Sequence, residues 1–224
     1  MSVYCALIFD LDGTLIDSAS DIAKALNIGF ALNGWPELDP AHVETFLGNG
    51  PRRLIVDILE DLAIPYDDSQ VQRAFDGYLQ AYMDDPAGRT RFFPHVREDL
   101  QALREAGIRL GICTNKNHAV TGKVLEQLGL ADLFEVALGA DAVPACKPDP
   151  GHLLAVAQAM DLASDEWAYV GDTRVDQMTA YAAGVPFFVV PWGGGPHVDI
   201  CAEQRLNRLA DLLQRSPLIV KERV

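Results

Sequence analysis

The run VYCALIF, Val3 to Phe9, is apolar throughout and stops at Asp10. A short unbroken apolar run with no polar alternation predicts a strand buried on both faces, as in a parallel sheet. Runs of the same kind recur at Ile108–Thr114, Phe134–Leu138, Trp167–Val170 and Pro186–Val190. Segments with helical spacing lie between them. Val96–Ala106 ends before Gly107, Ala119–Leu128 before Gly129 and Asp176–Ala183 before Gly184, while His152–Met160 follows a Pro-Asp-Pro start. Glycine just past a helix supplies the left-handed residue that ends it. The alternation predicts an α/β protein, a doubly wound parallel sheet with a Rossmann-like core.

Residues 17–90 break this rhythm. Ser18–Asn33 runs to Gly34, Ala41–Leu47 to Gly48, Pro51 opens the next segment at the first-turn position that suits proline, and Ser69–Met83 follows. All read as helical, and no convincing strand occurs among them. The expectation is a core of residues 1–16 and 91–224 with an all-helical cap domain, 17–90, inserted through linkers near 13–17 and 85–93. Internal repeats and low-complexity tracts are absent.

Composition narrows the partners. The chain has 224 residues, 49% of them hydrophobic, enough for one large domain or a domain plus a smaller insert. No stretch approaches the roughly 20 apolar residues of a membrane span. The start MSVYCALIFD lacks a basic leader, so a cytoplasmic location is expected. A formal net charge of -14 argues against nucleic acid and anionic membrane as partners. An anionic substrate would also be repelled unless a metal ion or local cations reverse the field. Cys5, Cys113, Cys146 and Cys201 are scattered without a CxxC pair and are read as reduced thiols.

In open α/β sheets ligands bind at the carboxyl ends of strands. Asp10 and Thr114 end two of the apolar runs, and Asp172 follows WAYVG. Lys147, in a loop before a helix, can reach the same crevice. Read singly, these residues have plainer roles: Asp10 and Asp12 as a turn, Thr114 and Asn115 as a helix cap, Lys147 as a solvated loop charge, Asp176 as a surface position. His95, His118 and His197 have no ligand spacing. Trp192–Pro196, WGGGP, lacks a following Walker lysine and reads as a flexible loop at the mouth of the site. Arg52 and Arg53 follow the Gly48–Gly50 turn; one of them meeting a substrate carboxylate and both being solvated are left open.

Taken together, DLDGT (Asp10–Thr14), TNK (Thr114–Lys116), KPDP (Lys147–Pro150) and GDTRVD (Gly171–Asp176) resemble the four ordered motifs of the haloacid dehalogenase-like phosphatases. The resemblance spans the whole core, and the helical insert resembles that family's cap. LGNG (Leu47–Gly50), FPHV (Phe93–Val96) and TNK are similar to a bacterial subfamily acting on 2-phosphoglycolate.

The resemblance implies a phosphomonoester hydrolase that works through an aspartyl phosphate. Asp10 is then the nucleophile and Asp12 the acid/base, protonating the leaving alkoxide and later taking a proton from water. Mg²⁺ is the implied cofactor, bound by Asp10, the Asp12 carbonyl and Asp172, with Asp176 orienting the site from behind. Thr114 and Asn115 are expected to donate to the phosphate, and Lys147 to pair with the phosphate and Asp10. Arg52 is the candidate for the leaving group's carboxylate. The expected partner is a small phosphorylated metabolite, 2-phosphoglycolate first, with another sugar phosphate, a nucleotide or pyrophosphate as alternatives. Monomer and homodimer are both open.

Other activities fit less well. A dehalogenase has no need of Asp12, and a phosphonoacetaldehyde hydrolase needs a cap lysine where the insert offers only Lys24. A phosphosugar mutase remains compatible with the motifs. A non-enzymatic binding module would be expected to have lost one of the reactive residues, and all are present.

Overall fold

The computed structural model describes residues 4–163 and 166–215. Val3, at the head of the first predicted strand, lies outside the described residues. Strand β1 (Ala6–Phe9) leads through a tight turn to β2 (Ile16–Asp17). Four helices follow: α1 (Ala19–Ala31), α2 (Pro40–Glu44), α3 (Pro51–Asp61) and α4 (Asp68–Asp84). β3 (Arg91–Phe92) brings the chain back. Alternation then takes over with α5 (Val96–Glu105), β4 (Arg109–Cys113), α6 (His118–Gln127), β5 (Val136–Leu138), α7 (Pro150–Ala159), β6 (Trp167–Gly171), α8 (Arg174–Ala183) and β7 (Phe187–Val189).

The main sheet has five strands in the order β5-β4-β1-β6-β7, all parallel. Phe9 sits in register with Ile112 on one side and Val170 on the other. Side chains alternate between two cores. Leu7, Phe9, Leu110, Ile112 and Val170 pack on the face that holds Leu100 of α5 and Val124 of α6. Ile8, Trp167, Tyr169 and Phe187 pack on the opposite face against Leu153 and Val156 of α7. With both faces covered, every position of β1 is apolar, and each large side chain buried this way contributes about 1.5–3 kcal/mol. β1 is flanked by β4 on one side and by β6 on the other, and the chain crosses from β5 past β1 to reach β6. The crevice therefore opens at the carboxyl end of β1, where Asp10 stands.

The insert is helical, as its pattern predicts. Ile22, Leu26 and Phe30 of α1 and Val71, Ala74, Tyr78 and Tyr82 of α4 are buried. The two helices touch through small residues: a Cβ on Gly29 would lie 2.2 Å from the Ala74 carbonyl oxygen. Asp39 caps α2, and Asp67 with Gln70 forms a capping box on α4. α2 ends at Glu44, earlier than its sequence pattern implies, and Leu47–Gly50 becomes a loop facing the crevice.

One element went unread in the sequence. The two linkers pair as an antiparallel ribbon, Ile16 with Phe92 and Asp17 with Arg91. Two-residue strands carry too little periodicity to be recognised. Just inside it, buried Asp21 accepts from the Arg89 amide (2.9 Å) and from the Thr90 amide and hydroxyl (both 2.7 Å). Entry and exit of the insert are thereby tied together.

Candidate active site

The turn after β1 sets the geometry. The Asp10 amide bonds the Val170 carbonyl at 2.9 Å, and the Gly13 amide bonds the Ile16 carbonyl at 2.9 Å. Gly13 has φ +85°, and a Cβ there would lie 2.3 Å from Asp172 Oδ2. Only glycine allows both the backbone conformation and this approach of Asp172.

Asp172 is held from two directions. Thr14 Oγ1 donates to Oδ1 and the Gly194 amide to Oδ2, each at 2.8 Å. The WGGGP stretch, read from sequence as a flexible loop, is thus part of the site's framework. Trp192 Nε1 also donates to the Thr14 carbonyl at 2.9 Å, and its ring stacks on Phe93.

Lys147 Nζ reaches Asp10 Oδ1 (2.8 Å), Asp176 Oδ1 (2.6 Å) and the Tyr169 hydroxyl (2.9 Å). All four residues are buried. Burial favours the neutral amine, but Asp10 and Asp176 outweigh it and raise the lysine above its ordinary range. Burial pushes the Asp10 carboxyl up to about 7 against the opposing pull of Lys147. Asp172 is also raised, by burial and then by the nearby Asp176 and Asp10. Asp176 differs. Burial raises it, but Lys147, together with hydrogen bonds from Thr173 and Tyr169, holds it below the usual carboxylate range. It also closes a capping box with Thr173 at the start of α8, so it is fully engaged.

Asp10, Asp172 and Asp176 each present a carboxylate oxygen within 4.8 Å of the others. An all-oxygen, acidic donor set fits a hard divalent cation such as Mg²⁺. Asp10 Oδ2 accepts no hydrogen bond among the described residues, whereas Asp176 is occupied by Lys147, Thr173 and Tyr169. Each Asp172 oxygen accepts a single hydrogen bond and keeps a second lone pair, whereas each Asp176 oxygen accepts two, so Asp10 and Asp172 retain the capacity to ligate, with Asp176 behind them.

Asp12 lies on the other side. Ser18 Oγ donates to its Oδ1 at 2.5 Å, and Lys116 Nζ lies 2.9 and 3.0 Å from its two oxygens. Lys116 also donates to the hydroxyl of Tyr82, on α4, at 2.7 Å. Lys116 belongs to TNK, yet the motif alone assigned it no role. Ser18, Thr14, Tyr82, Tyr169 and the Gly194 amide were likewise missed; only Thr14 and Lys116 had a sequence signal, their places inside motifs.

Thr114 is buried beside the crevice, its Oγ1 accepting from the Lys116 amide at 3.2 Å. Its hydroxyl proton is uncommitted among the described residues. Asn115, also expected to donate to the phosphate, borders the same crevice. Its Nδ2 donates to the carbonyls of Gly48 and Lys147, both at 2.9 Å, so its side-chain protons are engaged here and the donor it has left is its backbone N–H. The helix cap is Asn117, whose side chain accepts from the Val120 amide. Arg52 is not brought to the crevice. It is exposed and donates to Gln72 Oε1 at 2.6 Å, while Arg53 pairs with Asp57 at 2.6 Å. His95 sits exposed against Glu98, His118 accepts from the Gly139 amide, and His197 borders an outer cavity beside Asp172.

Between core and insert lies a cavity of about 40 Å³, bordered by Asp10, Asp12, Thr114 and Lys116 below and by Leu47, Leu54 and Tyr78 above. A larger one, about 450 Å³, opens beside Asp172, Gly194 and Thr45.

This arrangement has relatives. The family profile of the haloacid dehalogenase-like hydrolases matches residues 7–190. The chain belongs to that family. Within the haloacid dehalogenase-like hydrolases, a phosphoglycolate phosphatase of Cereibacter sphaeroides is 37% identical over 93% of this chain and 97% of its own. One from Chromobacterium violaceum is 34% identical over 92% and 94%. Among solved structures, a predicted phosphoglycolate phosphatase from Haemophilus somnus superposes with a TM-score of 0.83, at 26% identity, over 96% of this chain and 98% of that one.

Proposed function

We propose that this haloacid dehalogenase-like hydrolase is a Mg²⁺-dependent phosphomonoesterase that acts on 2-phosphoglycolate through an aspartyl phosphate. The observation that carries the reading is the division of labour between two carboxylates bordering one cavity: Asp10, paired with Lys147 beside Asp172, and Asp12, paired with Lys116 and Ser18. Two carboxylates in unlike surroundings suit two unlike roles.

In the first half of the reaction, Asp10 Oδ2 attacks phosphorus. The new O–P bond forms as the ester P–O bond breaks, and Asp12 gives its proton to the departing alkoxide oxygen. In the second half, Asp12 takes a proton from water, the water oxygen attacks phosphorus, and the Asp10–phosphorus bond breaks. Thr114 donates its hydroxyl proton to a phosphate oxygen. Lys147 offsets the charge of Asp10 and Asp176 and keeps the nucleophile oriented. Mg²⁺, held by Asp10 and Asp172, would supply positive charge to the phosphoryl group. Asp176 positions Lys147 and α8 rather than touching the reacting atoms.

Residues 17–90 act in this reading as a cap. The cavity of about 40 Å³ has room for only a few water molecules, so the cap must lift for a phosphate ester to enter. The apolar ceiling of Leu47, Leu54 and Tyr78 favours a short leaving group and disfavours nucleotides. The names of the relatives support phosphoglycolate among small esters. A cytoplasmic location is in keeping with that substrate; no described helix is long and apolar enough to cross a membrane.

The test is kcat/KM, with and without Mg²⁺, over phosphoglycolate, p-nitrophenyl phosphate, a hexose phosphate, a nucleoside monophosphate and pyrophosphate. Phosphoglycolate should lead, and EDTA should abolish turnover. A higher value for any other ester would overturn the substrate, and activity surviving metal removal would overturn the mechanism.

A further inference from the structure

The substrate proposed above carries a carboxylate as well as a phosphate, and the protein bears a net charge of -14. A second anion entering beside Asp12 needs its own cation. The residue expected from sequence, Arg52, points to solvent and is engaged by Gln72, and Arg53 is engaged by Asp57. The cavity between core and insert is bordered by a different one. Among its lining residues Lys116 is the only cation, and it is 5% exposed.

We infer that Lys116 is the specificity residue that binds the carboxylate of the leaving group, with Tyr82 of the cap holding it in place. The inference rests on the phosphoglycolate reading of the same site. Three features point to it. Lys116 Nζ stands 2.9 and 3.0 Å from the two oxygens of Asp12, the residue that must sit next to the leaving oxygen. In 2-phosphoglycolate one methylene separates that oxygen from the carboxylate, so a cation touching Asp12 is also within reach of the carboxylate. An ammonium has three N–H donors. One goes to Tyr82 at 2.7 Å, and Asp12 receives contacts at both of its oxygens, where one suffices to orient it. Moving to a single Asp12 oxygen frees one N–H for the substrate.

The position of Tyr82 links recognition to closure. It lies on α4 in the insert, is 1% exposed, and its ring lies 4.3 Å under Nζ as well as offering its hydroxyl. The cation is fixed only when cap and core meet. The remaining walls, Leu47, Leu54 and Tyr78, offer no other charged partner to a carboxylate.

The experiment compares 2-phosphoglycolate with ethyl phosphate, which has the same two carbons and no carboxylate, using wild type, Lys116→Met and Tyr82→Phe with saturating Mg²⁺. Wild type should prefer phosphoglycolate. Lys116→Met should lower the ratio of kcat/KM for phosphoglycolate over ethyl phosphate by about 10–100-fold, the scale of a lost charge-assisted hydrogen bond. Tyr82→Phe keeps the ring and should lower the same ratio several-fold. A lysine that merely orients Asp12 would slow both esters equally and leave the ratio unchanged, which overturns the inference. Should Lys116→Met fail to fold, an unchanged ratio in Tyr82→Phe overturns it as well. A wild type with no preference for the acid ester overturns the substrate reading itself, and this inference with it.

Discussion

Asn115 Nδ2 lies 2.9 Å from the carbonyl oxygen of Gly48, so the segment after β4 is hydrogen-bonded to the loop that leads into α3. The second amide proton reaches the Lys147 carbonyl. Asn115 Oδ1 has no partner among the described residues. The opposite orientation of the amide would face its oxygen toward two carbonyls, so this one is set by the network. One side chain thus joins the cap loop, the end of β4 and the lysine loop.

Asn115→Asp keeps the shape and removes both donors. The carboxylate would confront two carbonyl oxygens, and each unpaired buried acceptor costs about 1–3 kcal/mol. At about 2–4 °C per kcal/mol for a chain of 224 residues, the two acceptors together should lower the melting temperature by about 4 °C or more. The KM for phosphoglycolate should rise as closure weakens. A thermal melt and steady-state kinetics check both; unchanged values would remove Asn115 from closure.

Gly13→Ala attacks the site without touching an ionisable group. Its Cβ would stand 2.3 Å from Asp172 Oδ2, at a φ of +85° that alanine rarely adopts. Strain of this kind costs about 1–3 kcal/mol. Asp172 would be displaced from Thr14 and Gly194. The prediction is weaker Mg²⁺ binding by calorimetry, together with a fold still recognisable by circular dichroism. Wild-type Mg²⁺ affinity would contradict the role given to this turn.

Protonation and metal binding are linked at Asp10. Its folded-state pKa is raised from 3.8 to about 7, chiefly by burial. The metal-free folded protein therefore holds a proton that the unfolded chain has already lost. Stability falls as pH rises from about 4 to 7, by about 1.4 kcal/mol for each pH unit crossed. His152 runs the other way: burial lowers it to about 4, so its contribution is lost as pH falls from 6.5 through 4. Comparing Asp10→Asn with wild type cancels the histidine. Without metal, the variant should exceed wild type in melting temperature by a margin that widens from pH 5 to pH 8. Mg²⁺ should narrow that margin, and its stabilising effect on wild type should grow with pH. A margin independent of pH would contradict the assignment.

Residues at strand ends were the most legible part of the site. Asp10, Thr114 and Asp172 sit where a short apolar run meets a loop, and both facts are local in sequence. Lys147 and Asp176 were legible through motif order. The contacts of Lys116 were not, because its partners Asp12 and Tyr82 are distant in sequence and come from core and insert. A lysine after a strand end is ordinarily solvated, and nothing in TNK marks this one as buried. The sequence alone leaves Arg53 open between a substrate contact and solvent. Buried Leu54, Ile55, Ile58 and Leu59 fix the inner face of α3 and leave Arg53 beside Asp57 and Glu60 on the outer one. The loop at Gly193–Gly194 looked flexible because glycine composition says nothing of the Asp172 carboxylate it holds.

Asp12 should act in both halves of the reaction, and the leaving group separates them. Its carboxylate is fixed by Ser18 and Lys116, so its removal leaves the Asp10–Lys147–Asp172 side in place. An alkoxide leaves poorly without a proton, and Asp12→Ala should slow phosphoglycolate hydrolysis by roughly 10²–10⁴-fold. p-Nitrophenolate leaves well unprotonated, so the first step on that ester should suffer much less. The second step still lacks its base. Phosphoenzyme should then accumulate on Asp10, giving a burst of phenolate followed by slow turnover. Rapid-quench kinetics with direct measurement of enzyme-bound phosphate resolves the two steps. Equal slowing of both esters with no trapped phosphate would confine Asp12 to shaping the turn and the metal site.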